Sequence, residues 1–256
     1  MMNVLTWIFI YSWQLIVSVP AKQEASLDMD ALGHSYVWTP EKITMYDTKG
    51  RELFFYSELA FGDIQSIDVR DALKPLVFYQ DAGKLVFLDN TLSPQSNVID
   101  LFEVYDGMAV AICSSIDNNY WVFDAQRQEI VRVDAAFNEI TSSGSLSALG
   151  IDGFYPEQLF ESNQQLYVWE ENYGFLVFDL FGTLIRRIPI LDVQHVHLRK
   201  GQLLLTKTSG EVLKYNWLDY QFEAVPLPAL PAAPRAVVKN AEVYGFLVNK
   251  ELFLYR

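Results

Sequence analysis

The stretch Phe175-Leu-Val-Phe-Asp179 decides the fold, because variants of it recur along the chain. Each variant is a short apolar run that ends in an aromatic residue or leucine and is usually followed by aspartate. The other five are Ile43-Thr-Met-Tyr-Asp47, Leu85-Val-Phe-Leu-Asp89, Tyr120-Trp-Val-Phe-Asp124, Val212-Leu-Lys-Tyr-Asn216 and Leu252-Phe-Leu-Tyr-Arg256. Their last residues are spaced 42, 35, 55, 37 and 40 residues apart. A period of about 40 residues indicates a repeat architecture.

Further runs rich in β-branched and aromatic residues flank each copy, and short polar turns separate them. Around the copy at 175–179, Leu166–Glu170 precedes it, Asn172-Tyr-Gly174 forms the turn, and Leu184–Ile190 follows. A fourth run often opens the set, as Val193–Arg199 does for the next repeat. Each repeat therefore predicts four antiparallel strands, which is the blade of a β-propeller.

Six copies predict an all-β fold, a β-propeller of about six four-stranded blades over residues 22–256; five or seven blades would also fit the uneven spacing. Strands that are apolar on both faces suit this fold, because neighbouring blades cover each other. The last copy ends at Arg256 after a third strand, so either Lys22–Asp30 supplies the missing outer strand or that edge stays open. The segment Ser26–Trp38 also aligns with Ser66–Phe78 as the start of a blade.

The first 21 residues differ from the rest, because they contain no charged side chain and include the apolar stretch Val4–Val19. That stretch has the length of a signal-peptide core and is short for a membrane span, which needs about 20 residues. Val19 and Ala21 suit a cleavage site before Lys22. We expect residues 1–21 to be a helical signal peptide or membrane anchor, and the protein to be exported, to the periplasm or outside the cell. A cytosolic protein with a buried first helix is the alternative. Membrane contact is expected only through residues 4–19, if they are retained.

The composition excludes disorder and disfavours two classes of partner. Hydrophobic residues make up 51% of the chain and charged residues 20%, which is enough apolar surface for a large core. The net charge of −13 disfavours nucleic acid and anionic lipid as partners, since both are negatively charged. The single cysteine, Cys113, lies in an apolar run and is expected to be buried and inert.

Two segments depart from the period. Residues 138–156 lie within the 55-residue interval and include the polar run Thr141-Ser-Ser-Gly-Ser-Leu-Ser147, which predicts either a functional loop on one face or a disordered insertion. Val225–Pro234 contains four prolines and predicts an extended connector between blades. The aspartates that close the copies are expected to accept hydrogen bonds from nearby backbone N–H groups; calcium ligation is the alternative.

No motif specifies a reaction, a cofactor or a metal. His195 and His197 would point to one face of a strand, but a zinc site needs at least a third ligand. Glu170 and Glu171 would point to opposite faces, so they cannot form the carboxylate pair of a glycosidase. No catalytic, cofactor-binding or metal-binding residue is therefore assigned. The candidate binding residues are aromatic residues and histidines, namely Trp169, Tyr173, His195, His197, Phe154 and Tyr155.

The turn Ser115–Trp121 resembles the Asp-box of sialidase-type propellers, with Asn119 in place of the glycine and the tryptophan one residue early. Over residues 26–256 the architecture is similar to that of six-bladed propellers with NHL repeats or of the TolB-like group, although no signature motif of those groups is present. Such proteins are often binding scaffolds and in a minority enzymes, so the resemblance implies binding.

We therefore expect a non-catalytic exported propeller with a protein partner, acting as a scaffold or as a subunit of an envelope complex. The alternative is a carbohydrate-binding or glycoside-processing propeller with an axial site.

Overall fold

The computed structural model describes residues 13–95, 98–199, 202–216 and 220–256, and these form a six-bladed β-propeller of four-stranded antiparallel sheets. After β1 (Leu15–Pro20), blade 1 contains β2 (Ser26–Met29), β3 (Ser35–Thr39), β4 (Lys42–Tyr46) and β5 (Glu52–Tyr56). Blade 2 contains β6 (Ser66–Asp68), β7 (Leu76–Tyr79), β8 (Lys84–Phe87) and β9 (Ile99–Asp100), and the short helix α1 (Leu101–Val104) follows it. Blade 3 contains β10 (Ala109–Ser114), β11 (Tyr120–Asp124), β12 (Glu129–Val133) and β13 (Glu139–Ser142).

Blade 4 contains β14 (Gln158–Ser162), β15 (Gln165–Glu170), β16 (Gly174–Asp179) and β17 (Leu184–Ile188). Blade 5 contains β18 (Val193–Arg199), β19 (Gln202–Lys207), β20 (Val212–Asn216) and β21 (Gln221–Ala224). Blade 6 contains β22 (Ala236–Lys239), β23 (Tyr244–Val248) and β24 (Glu251–Tyr255), with β1 as its outermost strand. The prediction of six four-stranded blades is confirmed.

The ring is closed by β1, which neither predicted closure anticipated. It pairs antiparallel with β24, with Val17 opposite Leu254 and Val19 opposite Leu252. The pairing extends one residue further, because Gln14 and Arg256 exchange backbone hydrogen bonds of 2.8 and 2.9 Å. Lys22–Asp30 cannot supply this strand, because it contains β2, the innermost strand of blade 1. The first and last strands of the described chain therefore pair in one blade.

The described part of the predicted amino-terminal helix is a strand. Residues 1–12 lie outside the described residues, whereas Leu15–Pro20 is extended and hydrogen-bonded to β24. Its β-branched residues suit a strand, and Ile16, Val17 and Val19 pack into the core between blades 6 and 1. No helix within the described residues has the length and apolar character needed to cross a membrane. The predicted cleavage before Lys22 would remove β1 from blade 6.

The apolar cores lie between neighbouring blades, as the strand pattern predicts. One core combines Trp121 and Phe123 of blade 3 with Leu166 and Phe178 of blade 4, and all four side chains are fully buried. Blades are thus apolar on both faces because each face has a neighbouring sheet to cover it. Cys113 is buried in the same core, and this burial raises the pKa of its thiol, as expected for an inert cysteine.

The closing aspartates are turn residues, and the third of them is Asp134 rather than Asp124. Asp134 Oδ1 accepts from the backbone N–H groups two and four residues later, at 2.8 and 2.9 Å. Asp47, Asp89 and Asp179 accept in the same pattern, each at or just beyond the end of the third strand of its blade. Asp124 instead ends a second strand, which explains the uneven intervals of the sequence pattern. With Asp134 in place, the first three spacings become 42, 45 and 45 residues.

Residues 138–156 are an ordered part of the fold, neither a disordered insertion nor wholly a surface loop. They contain β13 and a short 3-10 turn at Leu146–Leu149. Leu146, Ile151 and Phe154 are buried in the core between blades 3 and 4, which holds the segment against the sheets. The proline-rich residues 225–235 join β21 to β22, as the predicted connector, and Leu227 and Leu230 pack against blade 6.

Candidate functional site

The axis of the propeller is polar and nearly filled. The innermost strands carry Asp28, Asp68, Glu161, His197 and Arg199 around a cavity of about 50 Å³. A cavity of that size holds a few water molecules, whereas pockets for small molecules begin at about 300 Å³. The axial groups are therefore in contact mainly with each other and with the backbone.

Glu161 on β14 is the centre of the largest hydrogen-bond network at the axis. Its Oε2 accepts from the Ser115 hydroxyl and, at 2.8 Å, from Trp121 Nε1. Its Oε1 accepts from the backbone N–H of Ile116 at 3.2 Å and from Arg70 Nη1 at 3.1 Å. The carboxylate thus ties blade 4 to blades 2 and 3. Ser115 and Trp121 belong to the Asp-box-like turn, so here that turn has a structural role.

Arg199 and Asp28 occupy the other side of the axis. Arg199 donates to the carbonyl oxygens of Arg70 at 3.2 Å and Val69 at 3.0 Å, which ties blade 5 to blade 2. Asp28 Oδ2 accepts from Trp38 Nε1 at 3.0 Å. Burial raises the pKa of Asp28 to about 7, against the lowering effects of the Trp38 hydrogen bond and the Arg199 charge.

His195 and His197 also tie blades together. His195 Nε2 lies 2.7 Å from the carbonyl oxygen of Leu27 in blade 1, and His197 Nε2 lies 2.9 Å from that of Lys239 in blade 6. A carbonyl can only accept, so both Nε2 atoms carry a proton. Burial lowers the pKa of His195 to about 4 and that of His197 to about 3, so both rings are neutral at pH 7. Within the described residues, no three His, Cys, Asp or Glu side chains are grouped to hold a metal ion.

The aromatic candidates are divided between the core and the surface. Phe154 and Trp169 are buried in two different cores, where a partner cannot reach them in this conformation. Tyr173 packs edge-on against Phe154, and its hydroxyl accepts from Arg187. Tyr155 is 49% exposed and is the one predicted binding residue with a large accessible side chain. The structure therefore does not bring the six candidates together into one site.

Sequence reasoning missed the axial residues Asp28, Asp68, Arg70, Glu161 and Arg199. One signal for two of them was present, because Ser26-Leu-Asp28 and Ser66-Ile-Asp68 occupy matching positions at the starts of blades 1 and 2. A repeated aspartate on the innermost strand indicates a group that faces the axis. Glu161 and Arg199 have no such counterpart in the sequence.

The loops divide between two faces of the disc. The turn face carries the turns that join first to second and third to fourth strands. On this face the axis opens into a mouth of about 720 Å³, and Leu32, Leu73 and Ile116 are exposed beside Arg70 and Arg199. The linker face carries the connections between blades and the turns that join second to third strands. It comprises residues 21–25, 40–41, 57–65, 80–83, 101–108, 125–128, 143–157, 171–173, 189–192, 208–211, 225–235 and 249–250.

The linker face is strongly acidic. It has four Lys and Arg residues, Lys22, Arg127, Arg235 and Lys250, against twelve acidic residues: Glu24, Glu41, Glu58, Asp63, Asp81, Glu103, Asp106, Asp152, Glu157, Glu171, Asp192 and Glu211. It also exposes six large apolar side chains by 43–72%, namely Leu59, Phe102, Val104, Met108, Tyr155 and Leu191. Contiguous exposed apolar side chains mark interaction sites, and Phe102, Val104 and Met108 all lie in the single connection 101–108.

Comparison with known proteins establishes the fold alone. No model of a protein family and no curated protein sequence matches the chain. Among solved structures, virginiamycin B lyase from Staphylococcus aureus is 9% identical over 95% of this chain and 99% of that one, with a TM-score of 0.63. The WD40 domain of Neurospora crassa Pan2 is 8% identical over 95% and 94%, with a TM-score of 0.62. A structure of BBS1N in complex with ARL6DN is 13% identical over 87% and 74%, with a TM-score of 0.53.

Proposed function

We propose that this chain is a non-catalytic propeller that binds another protein, as a scaffold or as a subunit of an exported complex. The observation that carries the proposal is the contrast between axis and surface. The axial cavity of about 50 Å³ leaves no room for a substrate, whereas the linker face exposes six large apolar side chains. Clusters of exposed apolar and aromatic side chains are the anchors that protein interfaces use.

The comparisons support a protein-binding role without specifying a partner. One neighbour, BBS1N, has been solved in complex with the protein ARL6DN, and another is a WD40 domain. Export, to the periplasm or outside the cell, is part of the proposal. It is supported by the uncharged apolar residues that precede β1 and not by the cleavage before Lys22, which would remove β1.

The axis supports a second candidate, a propeller that binds or processes a small molecule, such as a carbohydrate. It is favoured by the charged groups that converge at the axis and by the likeness in fold to virginiamycin B lyase. On this alternative the mouth on the turn face, beside Arg70 and Arg199, would be the ligand site. It ranks second because Glu161 and both histidines are already held by contacts within the protein.

Recovery of a partner from the native cells tests the proposal. The full chain, carrying a small affinity tag, is expressed at its natural level, the cells are fractionated, and each fraction is cross-linked before purification. We expect a stoichiometric protein partner in the exported fraction and reconstitution of the complex from purified components. Absence of any stoichiometric partner, together with turnover of a sugar or other small molecule by the purified chain, would favour the axial alternative.

A further inference from the structure

The apolar residues after blade 2 form the most exposed part of the linker face. Phe102 on α1 is 72% exposed, and Met108 in the following loop is 54% exposed. The Phe102 ring covers the turn of blade 2, because a Cβ added to Gly83 would lie 2.8 Å from the ring. Phe102 thus packs against the turn of blade 2 although most of its surface faces solvent. A pre-positioned aromatic side chain of this kind costs little conformational entropy when it binds.

Tyr155 joins the same patch from the loop between blades 3 and 4. Its hydroxyl accepts from Gln80 Nε2 at 3.4 Å, and Gln80 lies in the turn that Phe102 covers. Its ring meets that of Phe123 edge-on, with centroids 6.2 Å apart. Met108 lies beside the end of β11 that carries Phe123, because the Met108 carbonyl accepts from Ala125 N at 2.8 Å. The three apolar side chains therefore belong to one surface.

Three carboxylates border these side chains. Asp81, Glu103 and Asp106 are exposed, and none of them forms an ion pair with a cation in the described part of the chain. Arg127, in the neighbouring turn of blade 3, is already bound by Asp124 at 2.7 Å and Glu139 at 2.8 Å. The negative charge of the patch is thus left for a ligand. We call Asp81, Phe102, Glu103, Asp106, Met108 and Tyr155 the α1 patch.

We propose that the α1 patch binds a Lys- and Arg-rich segment of a partner protein that also carries an apolar anchor. The cations would pair with the three carboxylates, and the anchor would pack between Phe102, Met108 and Tyr155. The acidic surroundings attract such a segment and repel nucleic acid, acidic peptides and anionic membranes. This inference rests on the proposed protein-binding function and names the surface and the class of partner.

A selection experiment with matched variants tests the patch. The purified full chain is immobilised and challenged with a displayed library of random 12-residue peptides, and the affinity of the best synthetic peptide is measured by fluorescence anisotropy. We expect enrichment of peptides that combine Lys or Arg with large apolar residues. Phe102→Ala, and separately the pair Glu103→Lys with Asp106→Lys, should each weaken binding by at least about tenfold.

The control pair is Glu52→Lys with Glu242→Lys, which makes the same change in net charge on exposed residues of the turn face. It should leave the affinity within about twofold, because exposed charges more than a Debye length away are largely screened. Thermal melting of each variant shows that it is folded. The inference is overturned if no peptide binds, if the selected peptides lack basic residues, or if both charge-reversal pairs weaken binding equally.

The outcomes distinguish a failure of the proposed α1 patch from a failure of the proposed protein-binding function. If a native partner cross-links to the turn face, the α1 patch is wrong and the protein-binding function stands. If basic peptides bind the patch but no stoichiometric partner exists and the chain turns over a substrate, the patch stands and the proposed scaffold function fails.

Discussion

Glu161 is the residue on which the axial region depends most. Its side chain is 2% exposed and accepts from one cation and from three neutral donors. A buried donor without an acceptor has lost its hydrogen bonds to water without gaining one in the protein, so it destabilises the folded state. A buried carboxylate with this many partners is therefore costly to remove, whichever function the propeller has.

We predict that Glu161→Ala lowers the free energy of unfolding by about 3–5 kcal/mol, because Arg70 and three donors lose their acceptor. Trp121→Phe removes a single donor and keeps most of the ring, so it should cost about 1–3 kcal/mol. Glu171→Ala, on an exposed carboxylate, should change the free energy by less than about 0.5 kcal/mol. Urea unfolding measures all three. A loss below 1 kcal/mol for Glu161→Ala would contradict the role given to the network.

The axial histidines and Asp28 make opposite contributions to the pH dependence of stability. His195 and His197 have pKa values of about 4 and about 3 in the folded protein, below the ordinary 6.5, so the unfolded chain binds more protons as the pH falls below 6.5. Their contribution to stability is complete above pH 6.5 and declines as the pH falls towards 4. Asp28, with its pKa raised to about 7, is protonated first in the folded state and so adds stability as the pH falls from 7 towards 4.

Below pH 6.5 the two histidines bind two more protons in the unfolded chain, whereas Asp28 binds one more in the folded protein. We therefore predict a net loss of stability between pH 6.5 and pH 4, with a slope of up to about 1.4 kcal/mol per pH unit from these three groups. Urea unfolding at pH 7.5 and 5.0 checks the sign. His197→Gln should lose less stability than the wild type over this interval, and Asp28→Asn should lose more. Equal losses in all three proteins would show that these groups do not set the pH dependence.

At the scale of elements, β1 is the strand that completes the ring. It gives β24 its outer hydrogen-bond partner and covers the core between blades 6 and 1 with Ile16, Val17 and Val19. Its packing reaches blade 1, because a Cβ at Gly50 would overlap the Val17 side chain. Gly50 also has φ +76°, so a larger residue there would be strained in either case.

We predict that deletion of residues 1–21 lowers the melting temperature by about 10 °C or more, because blade 6 loses a strand and an edge is exposed. Deletion of residues 1–11, which keeps β1, is the control and should leave the melting temperature unchanged within about 2 °C. If amino-terminal sequencing of the native protein begins at Lys22 and the shorter chain is as stable as the full one, the closure by β1 does not operate in the mature protein.

The strands also show which parts of the fold the sequence pattern predicted and which it did not. The alternation of apolar runs and polar turns predicted every blade, because each blade's strands and turns are adjacent in sequence. The pattern assigned Asp124 instead of Asp134 to blade 3, because Tyr120–Phe123 and Glu129–Val133 are both strand-like runs followed by aspartate. Only the pairing order distinguishes the second strand from the third. The pattern also missed β1, because an apolar strand and a signal-peptide core have similar compositions.

For the whole molecule, the main property is the uneven distribution of charge. The linker face holds twelve acidic residues against four basic ones, within a chain whose net charge is −13. The turn face, in contrast, places Arg70 and Arg199 beside the mouth of the axis. The protein-binding proposal therefore uses the acidic linker face, and the small-molecule alternative uses the mouth on the turn face, where Arg70 and Arg199 lie beside Asp71 and Glu161.

The sequence by itself determined the repeat, a propeller of about six blades and the apolar surfaces between the blades, because these depend on residues close together in the chain. Only the tertiary structure decided which strand closes the ring, which side chains meet at the axis, and that Phe102, Met108 and Tyr155 share one acidic surface. Those groups come from different blades, and their contacts depend on how six sheets stack around an axis, which local sequence does not encode.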